Sequence, residues 1–423
     1  MLCALITNSD TLGRAMGQKQ NTQHQQHVVH AAGSALFVLI VLSCAFLGCA
    51  QNPDEQAQPP SPCDALIDTC LIDQKTCVAD AQGPRCEVCA PGTYASKNGQ
   101  CNEIGGTPTS HDFEEFTVEA GEEISGLCQS WTLNNAEELW VNAVELEQNA
   151  ASHHSNWTYV PADQFAGPDG VWPCKDRNYS QLNAALYGGV LYAQSTQAPK
   201  EVQKFPNGAA LRIVPYARVI SDIHLLNPKA DAVTGHVKLS IYSIPKDQVA
   251  VKLVPFHMVY SGLDIPAMAS SRFTGDCELK SLFPADILNL KVYYILPHTH
   301  AMATRFFLEA VGGSIDKQSL IDIEGFNGEA RGRLYDPPVD LSPATGLRFA
   351  CEYNNTRSVN VNYGIGDQEM CEFLGFAEGN SAFESVISSA AEVGAEGSRR
   401  LFSGPCNTTV FPWTHDKAGG PPP

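Results

Sequence analysis

The sequence predicts a mainly β protein: two tandem antiparallel β-sandwich (jelly-roll-like) domains behind a small disulfide-rich module. Three observations lead there. Runs rich in β-branched and aromatic residues, bounded by Gly, Pro, Asn and Asp, recur from about Asp112 onward. Convincing long amphipathic helices are missing from the same stretch. Ahead of it, six cysteines fall within about forty residues, a spacing that leaves little room for a hydrophobic core.

In chain order, residues 1–49 read as a signal peptide. Ala31 to Phe46 is apolar and of signal length, too short for a comfortable membrane span. It runs into Phe46-Leu47-Gly48-Cys49, which resembles a bacterial lipobox with Cys49 as the lipidated residue; Cys44 is a second candidate. The stretch before it is long and polar, so Met16, with Lys19 for positive charge, is an alternative start. A polar Pro/Gln tether over 50–62 follows. Then come Cys63, Cys70, Cys77, Cys86, Cys89 and Cys101, a module over 63–101 whose end, CEVCAPGTYASKNGQC, looks EGF-like and reads as a spacer or contact unit. Cys86 and Cys89 have zinc-ligand spacing, but a matching second pair is absent, so disulfides are preferred.

The strand runs are Ala209 to Ile220, His236 to Ile244 and Leu290 to Leu296. Ser385 to Ser398 reads as a short helix or a loop. About three hundred residues exceed one ordinary sandwich, so domains over 112–254 and 265–412 are expected, with a boundary near Leu253 to Ile265.

Of the 423 residues, 43% are apolar and 17% charged, enough to bury sizeable cores. The net charge of -19 argues against nucleic acid, whose affinity comes from neutralised phosphates, and against a polybasic membrane contact. Any membrane contact is expected through a lipid anchor alone. Fifteen cysteines are too many for a reduced cytosol. The compartment expected is extracytoplasmic: an outer-membrane lipoprotein or a secreted protein.

The residues that carry chemistry are His153-His154, His224, His298-Thr299-His300 and Met370. Side chains alternate along a strand, so His298 and His300 aim the same way and suit one metal. Adjacent His153 and His154 would point apart in a regular strand and need a turn, a bulge or different ring nitrogens to share an ion. Imidazole suits several transition metals, whereas a thioether selects copper, above all Cu(I). Three histidines, then two histidines and a methionine, point to two coppers per chain. His236 and His257 read as structural residues.

From about 112 to 376 the order of these residues resembles the copper type II, ascorbate-dependent monooxygenases, which include dopamine β-monooxygenase and peptidylglycine α-hydroxylating monooxygenase. The family's His-His pair matches His153-His154, its single histidine His224, its His-Thr-His motif His298 to His300, and its methionine beside a cysteine Met370-Cys371. The resemblance implies electron transfer at His153, His154 and His224. It implies catalysis at His298, His300 and Met370, with dioxygen, a small organic substrate and ascorbate or another one-electron donor. It also implies the disulfides Cys128–Cys174, Cys351–Cys371 and Cys277–Cys406. The match departs from the family at Ala301-Met302-Ala303 after the His-Thr-His motif, and from its peptide-binding branch at Leu296 in place of an arginine and at Glu372 and Leu374 in place of Asn and Tyr. The groups that grip a peptide carboxylate are therefore missing. The rival readings are a non-catalytic copper-binding surface lipoprotein and an interaction or adhesion module.

Overall fold

The computed structural model describes residues 61–413, apart from 97, 150, 195–196 and 326–330. The signal peptide, most of the tether and both lipidation candidates, Cys44 and Cys49, lie outside the described residues.

The chain is mainly β, as its strand runs predict. The disulfide-rich module comes first. Cys63 pairs with Cys77, Cys70 with Cys86, and Cys89 with Cys101. Of the spacer and contact roles the sequence left open, the module takes the second: it is bolted to the first sandwich. Lys200 Nζ donates to the carbonyls of Cys89, Ala90 and Thr93 and pairs with the buried Glu145 carboxylate at 2.9 Å. Glu145 also accepts from Gly92 N and from the Tyr242 hydroxyl. Removing one partner of such a buried pair costs about 3–5 kcal/mol, because the other charge is left without compensation.

The first sandwich packs a five-stranded antiparallel sheet, in the order Gly170–Pro173, Glu123–Thr132, Ala217–Leu226, Ser152–Pro161, Gly189–Gln194, against one end of an eleven-stranded sheet. Trp157, Tyr159 and Val219 from the five-stranded sheet meet Val141, Val144, Leu146, Leu239 and Ile241 from the other. The second sandwich packs a six-stranded sheet against the far end of the same large sheet, with Phe273, Phe306 and Phe349 meeting Val254, Phe256 and Phe373. The Ala209 to Ile220 run divides into Ala209–Ile213 and Ala217–Leu226, around Tyr216 at φ 52°.

Between the sandwiches runs the strand Val251–Val259, parallel to Ala209–Ile213 and antiparallel to Cys371–Glu378. Leu253 belongs to the first core and Val254 to the second. Ser385 to Ser398 is neither helix nor loop throughout: it supplies the end of the strand Ser381–Val386 and all of Ala391–Glu396. Its residues find partners in Asn407–Pro412 and Arg399–Gly404, far enough along the chain that local periodicity does not register them.

The strands Lys291–Thr299 and Cys371–Glu378 turn one face into the second core and the other toward the first sandwich. Ile295, Phe373 and Ala377 face their own core. Tyr294, Leu296 and Phe376 pack into the first domain's core instead. Cross-strand register continues that second face through Leu296 opposite Leu374 to His298 opposite Glu372. Strand alternation thus delivers His298 to the interdomain boundary.

Candidate metal centre

His224 lies on the central strand of the five-stranded sheet and is opposite His154. The ladder is irregular on both sides of it. Ser152 pairs with Leu225 and His154 with His224, so His153 is an extra, bulged residue. On the other side the register slips between Ile124 and Leu127, where Gly126 takes φ 75°. Bulges re-aim side chains. This one brings both members of the His-His pair to His224: one ring nitrogen from each of His153, His154 and His224 lies within 4.8 Å of the others.

The second domain brings His298, at the end of its strand, and His300, just beyond it. One ring nitrogen from each of His154, His298 and His300 again lies within 4.8 Å of the others. The five histidines therefore form one array, with His154 common to both triads. Ring centroids of His154 are 4.6 Å from His224, 5.1 Å from His298 and 5.9 Å from His300.

Burial, reinforced by the neighbouring imidazoles, holds His153 down to about 4 and His298 down to about 3, and pushes His154 well below the ordinary imidazole range. Rings kept neutral are rings with a lone pair to give. His300 Nδ1–H donates a hydrogen bond to the Gln368 carbonyl at 2.8 Å, while the buried Nε2 has no hydrogen-bond partner among the described residues. One nitrogen fixed by a carbonyl and the other bare is the arrangement of a metal-ligating histidine. This chemistry fits copper or another imidazole-binding transition ion.

The segment before Met370 grips the His298–Thr299–His300 turn. The Glu369 carboxylate accepts from the backbone N–H of His300 at 3.0 Å and of Met302 at 2.7 Å. Burial raises Glu369 to about 7 against the pull of these donors. Tyr353 donates to the Met370 carbonyl at 2.6 Å. The disulfide Cys351–Cys371 ties the start of the following strand to the six-stranded sheet. Cys128–Cys174 and Cys277–Cys406 are formed as well. All twelve cysteines among the described residues are paired, which places the chain in an oxidising, extracytoplasmic compartment.

A cavity of about 480 Å³ opens between the sandwiches, with His154, His224, His298 and Met370 on its wall. Leu182, Ala185 and Leu186 of the helix Gln181–Tyr187 line one side. Of the polar groups that also line the cavity, sequence reasoning singled out Glu372 and passed over the rest. His257, read as structural, has its Nδ1 3.5 Å from Glu384 and its Nε2 3.8 Å from Glu372. Burial pulls His257 down, but the two carboxylates outweigh it and its pKa ends above the ordinary value. Tyr363 donates to Glu372 at 2.7 Å. Burial raises the Asp222 carboxyl, which accepts from Gln181. Glu123, 2.5 Å from His224 Nε2, was also missed. The one sequence signal for its position is Gly126, whose positive φ accompanies the bulge.

No family model matches the chain, and no curated protein matches it. Among solved structures, the chain is similar to the major capsid protein P2 of bacteriophage PM2, at 7% identity over 64% of this chain and 97% of that one, with a TM-score of 0.25. It is similar to the cowpea mosaic virus top component, at 9% identity over 63% and 89%, with a TM-score of 0.27. It is also similar to the PBSX exported protein XepA, at 10% identity over 72% and 98%, with a TM-score of 0.18. Likenesses this slight bear on neither the site nor its chemistry.

Proposed function

We propose that the chain is a dicopper monooxygenase that hydroxylates a C–H bond of a small organic substrate, in keeping with the motif order it shares with the ascorbate-dependent copper monooxygenases. The observation that carries the reading is the array of five histidines, three of them held neutral, with His154, His224, His298 and Met370 lining one interdomain cavity. His153, His154 and His224 would hold one copper, and His298, His300 and Met370 the other. The metals would supply electron transfer on the first side and dioxygen-dependent hydroxylation on the second, with ascorbate or another one-electron donor as reductant.

The chain's own residues do the rest. Gln368 and Glu369 hold His300 in place through its ring and its backbone, so little ordering remains to be done when an ion arrives. Leu296 and Leu374 give the cavity an apolar wall that keeps water from a reactive centre. Glu372, Tyr363 and His257, also on the cavity wall, offer polar anchors for a substrate.

The test is copper stoichiometry with Cu(I) X-ray absorption on the mature chain. Two coppers are expected, with a sulfur scatterer that disappears in Met370→Ala. Absence of copper would overturn the reading. Attachment at an acylated Cys49 belongs to the same proposal, and a mature N-terminus without an acylated cysteine in its mass spectrum would remove it.

A second reading, a non-catalytic copper-binding lipoprotein, draws on the sharing of His154 by both triads. Two bound coppers without substrate-coupled oxygen consumption would favour it.

A further inference from the structure

The two histidine triads are not equally ready for an ion. Glu123 accepts a proton from His224 Nε2 at 2.5 Å, and His224 Nδ1 lies 2.7 Å from His154 Nε2. With one proton on each ring, His224 Nδ1 is then an acceptor, and it accepts a hydrogen bond from His154 Nε2–H. The lone pair of His224 is spent on His154. His153 Nδ1 is likewise spent, accepting from the Gln197 amide at 2.6 Å. Loading the first-domain triad requires these bonds to break.

The same chain of bonds leaves His154 with its lone pair on Nδ1. Across the cavity His300 carries its proton on Nδ1, donated to Gln368, and keeps a bare, buried Nε2. A buried nitrogen left without a partner is destabilising, and an ion would relieve it. One ring nitrogen of His298 lies within 4.8 Å of one ring nitrogen each of His154 and His300.

We propose that His154, His298 and His300 form a metal site of their own, contributed by both sandwiches. It takes a single copper ion before the chain takes two, and it fastens the domains across the cavity. The proposal rests on the copper-binding part of the reading above, not on hydroxylation. Imidazoles alone serve this site, and copper is favoured among divalent first-row ions. A second ion can enter only if His154 returns to His153 and His224, which frees His298 and His300 to join Met370. Metal number would then set domain spacing.

The experiment titrates the metal-free full chain with Cu(I). Cu(I) is diamagnetic, so the imidazole ¹⁵N shifts of the wild-type chain identify the ligating rings without any substitution. At one equivalent, His154, His298 and His300 should shift while His153 and His224 do not, and X-ray absorption should find nitrogen ligands without sulfur. Sulfur should enter with the second equivalent. His300→Gln should weaken the first equivalent by at least about tenfold, and His153→Gln by less than about twofold. Shifts at His153 and His224 with the first equivalent, or sulfur at that stage, would overturn the interdomain site and leave the dicopper reading standing. No shift at any histidine would remove both.

Discussion

The two halves of the histidine array are built differently. On the first domain, His153, His154 and His224 project from paired strands whose ladder is broken by a bulge at His153 and another beside Gly126. Their contacts are side chain to side chain: His224 with His154 and Glu123, and His153 with Gln197. On the second domain, His300 is held by main chain and by a carboxylate that itself grips main chain, with the Cys351–Cys371 disulfide close behind. Side-chain bonds exchange easily, whereas backbone caps and a disulfide do not. The second half is therefore a fixed receptacle and the first half an adaptable one.

The largest effect expected from this contrast is at Met370. Met370→Ala removes the only thioether of the proposed second site, and turnover should fall at least about a thousandfold, equivalent to about 4 kcal/mol in the barrier. The strand register should survive, because the Tyr353 bond goes to the Met370 carbonyl and not to its side chain. Kinetics with near-ultraviolet circular dichroism on the variant checks both parts. Retained, substrate-coupled ascorbate consumption would detach Met370 from the chemistry.

Next in size is the disulfide. Cys351 and Cys371 close a 20-residue separation, and replacing both with serine should cost about 3 kcal/mol in a urea titration. If the second half is a fixed receptacle, the variant's copper should also lose its sulfur scatterer while keeping its nitrogen ligands. A stability loss with the sulfur intact would show that the grip of residues 368–370 suffices alone.

How much of this was legible beforehand follows from the same contrast. The alternation of Leu296 and His298 is a period-two pattern, and such a pattern survives into the fold because a strand cannot place it otherwise; His300 lies one residue past the strand, and Gln368 and Glu369 rather than strand alternation set its place. The sharing of His154 was not legible. It depends on the register of His154 against His224 and on the approach of a second sheet, both set by pairings far apart in the chain. His257 went unread for a related reason. Alone on an apolar strand it resembles a core residue, and only its neighbours Glu384 and Glu372, brought by two other strands, reveal a cavity wall. The end of the chain near Ser385 was misread because its Ser- and Ala-rich strands draw their order from partners rather than from β-branched side chains.

Acid provides a third test. His153 and His298 are held to about 4 and about 3 in the fold, and His154 well below its usual range, while an unfolded imidazole titrates near about 6.5. Below that value the unfolded chain binds protons that the folded rings refuse, so stability is present above about pH 6.5 and is lost as pH falls toward the folded values. Glu369 and His257, whose pKa values are raised, work in the opposite sense. The net loss for the metal-free chain between about pH 7.5 and about pH 5 should be on the order of 2 kcal/mol. His153→Gln should flatten the profile without abolishing it, since His154 and His298 remain. A stability that is level across this range would mean the rings are not held neutral.

The smallest effect separates the halves most directly. Glu123→Gln keeps the shape of the side chain that meets His224 Nε2 but removes its charge. A carboxylate behind a histidine orients the ring and raises its basicity as a ligand, and losing it costs a metal site about 10- to 100-fold in affinity. If the first domain's triad holds its ion only after His224 gives up His154, the weakened orienting bond should appear in the second equivalent of copper alone, as a loss near the lower end of that range. The first equivalent should bind as before, because His298 and His300 take nothing from Glu123 and the amide oxygen that replaces the carboxylate still accepts from His224 Nε2–H, which keeps the His154 tautomer. Isothermal titration of the wild type and the variant reads both equivalents in one experiment. Equal weakening of the two would mean that Glu123 steadies the whole array through His154, and that the first half is as preorganised as the second.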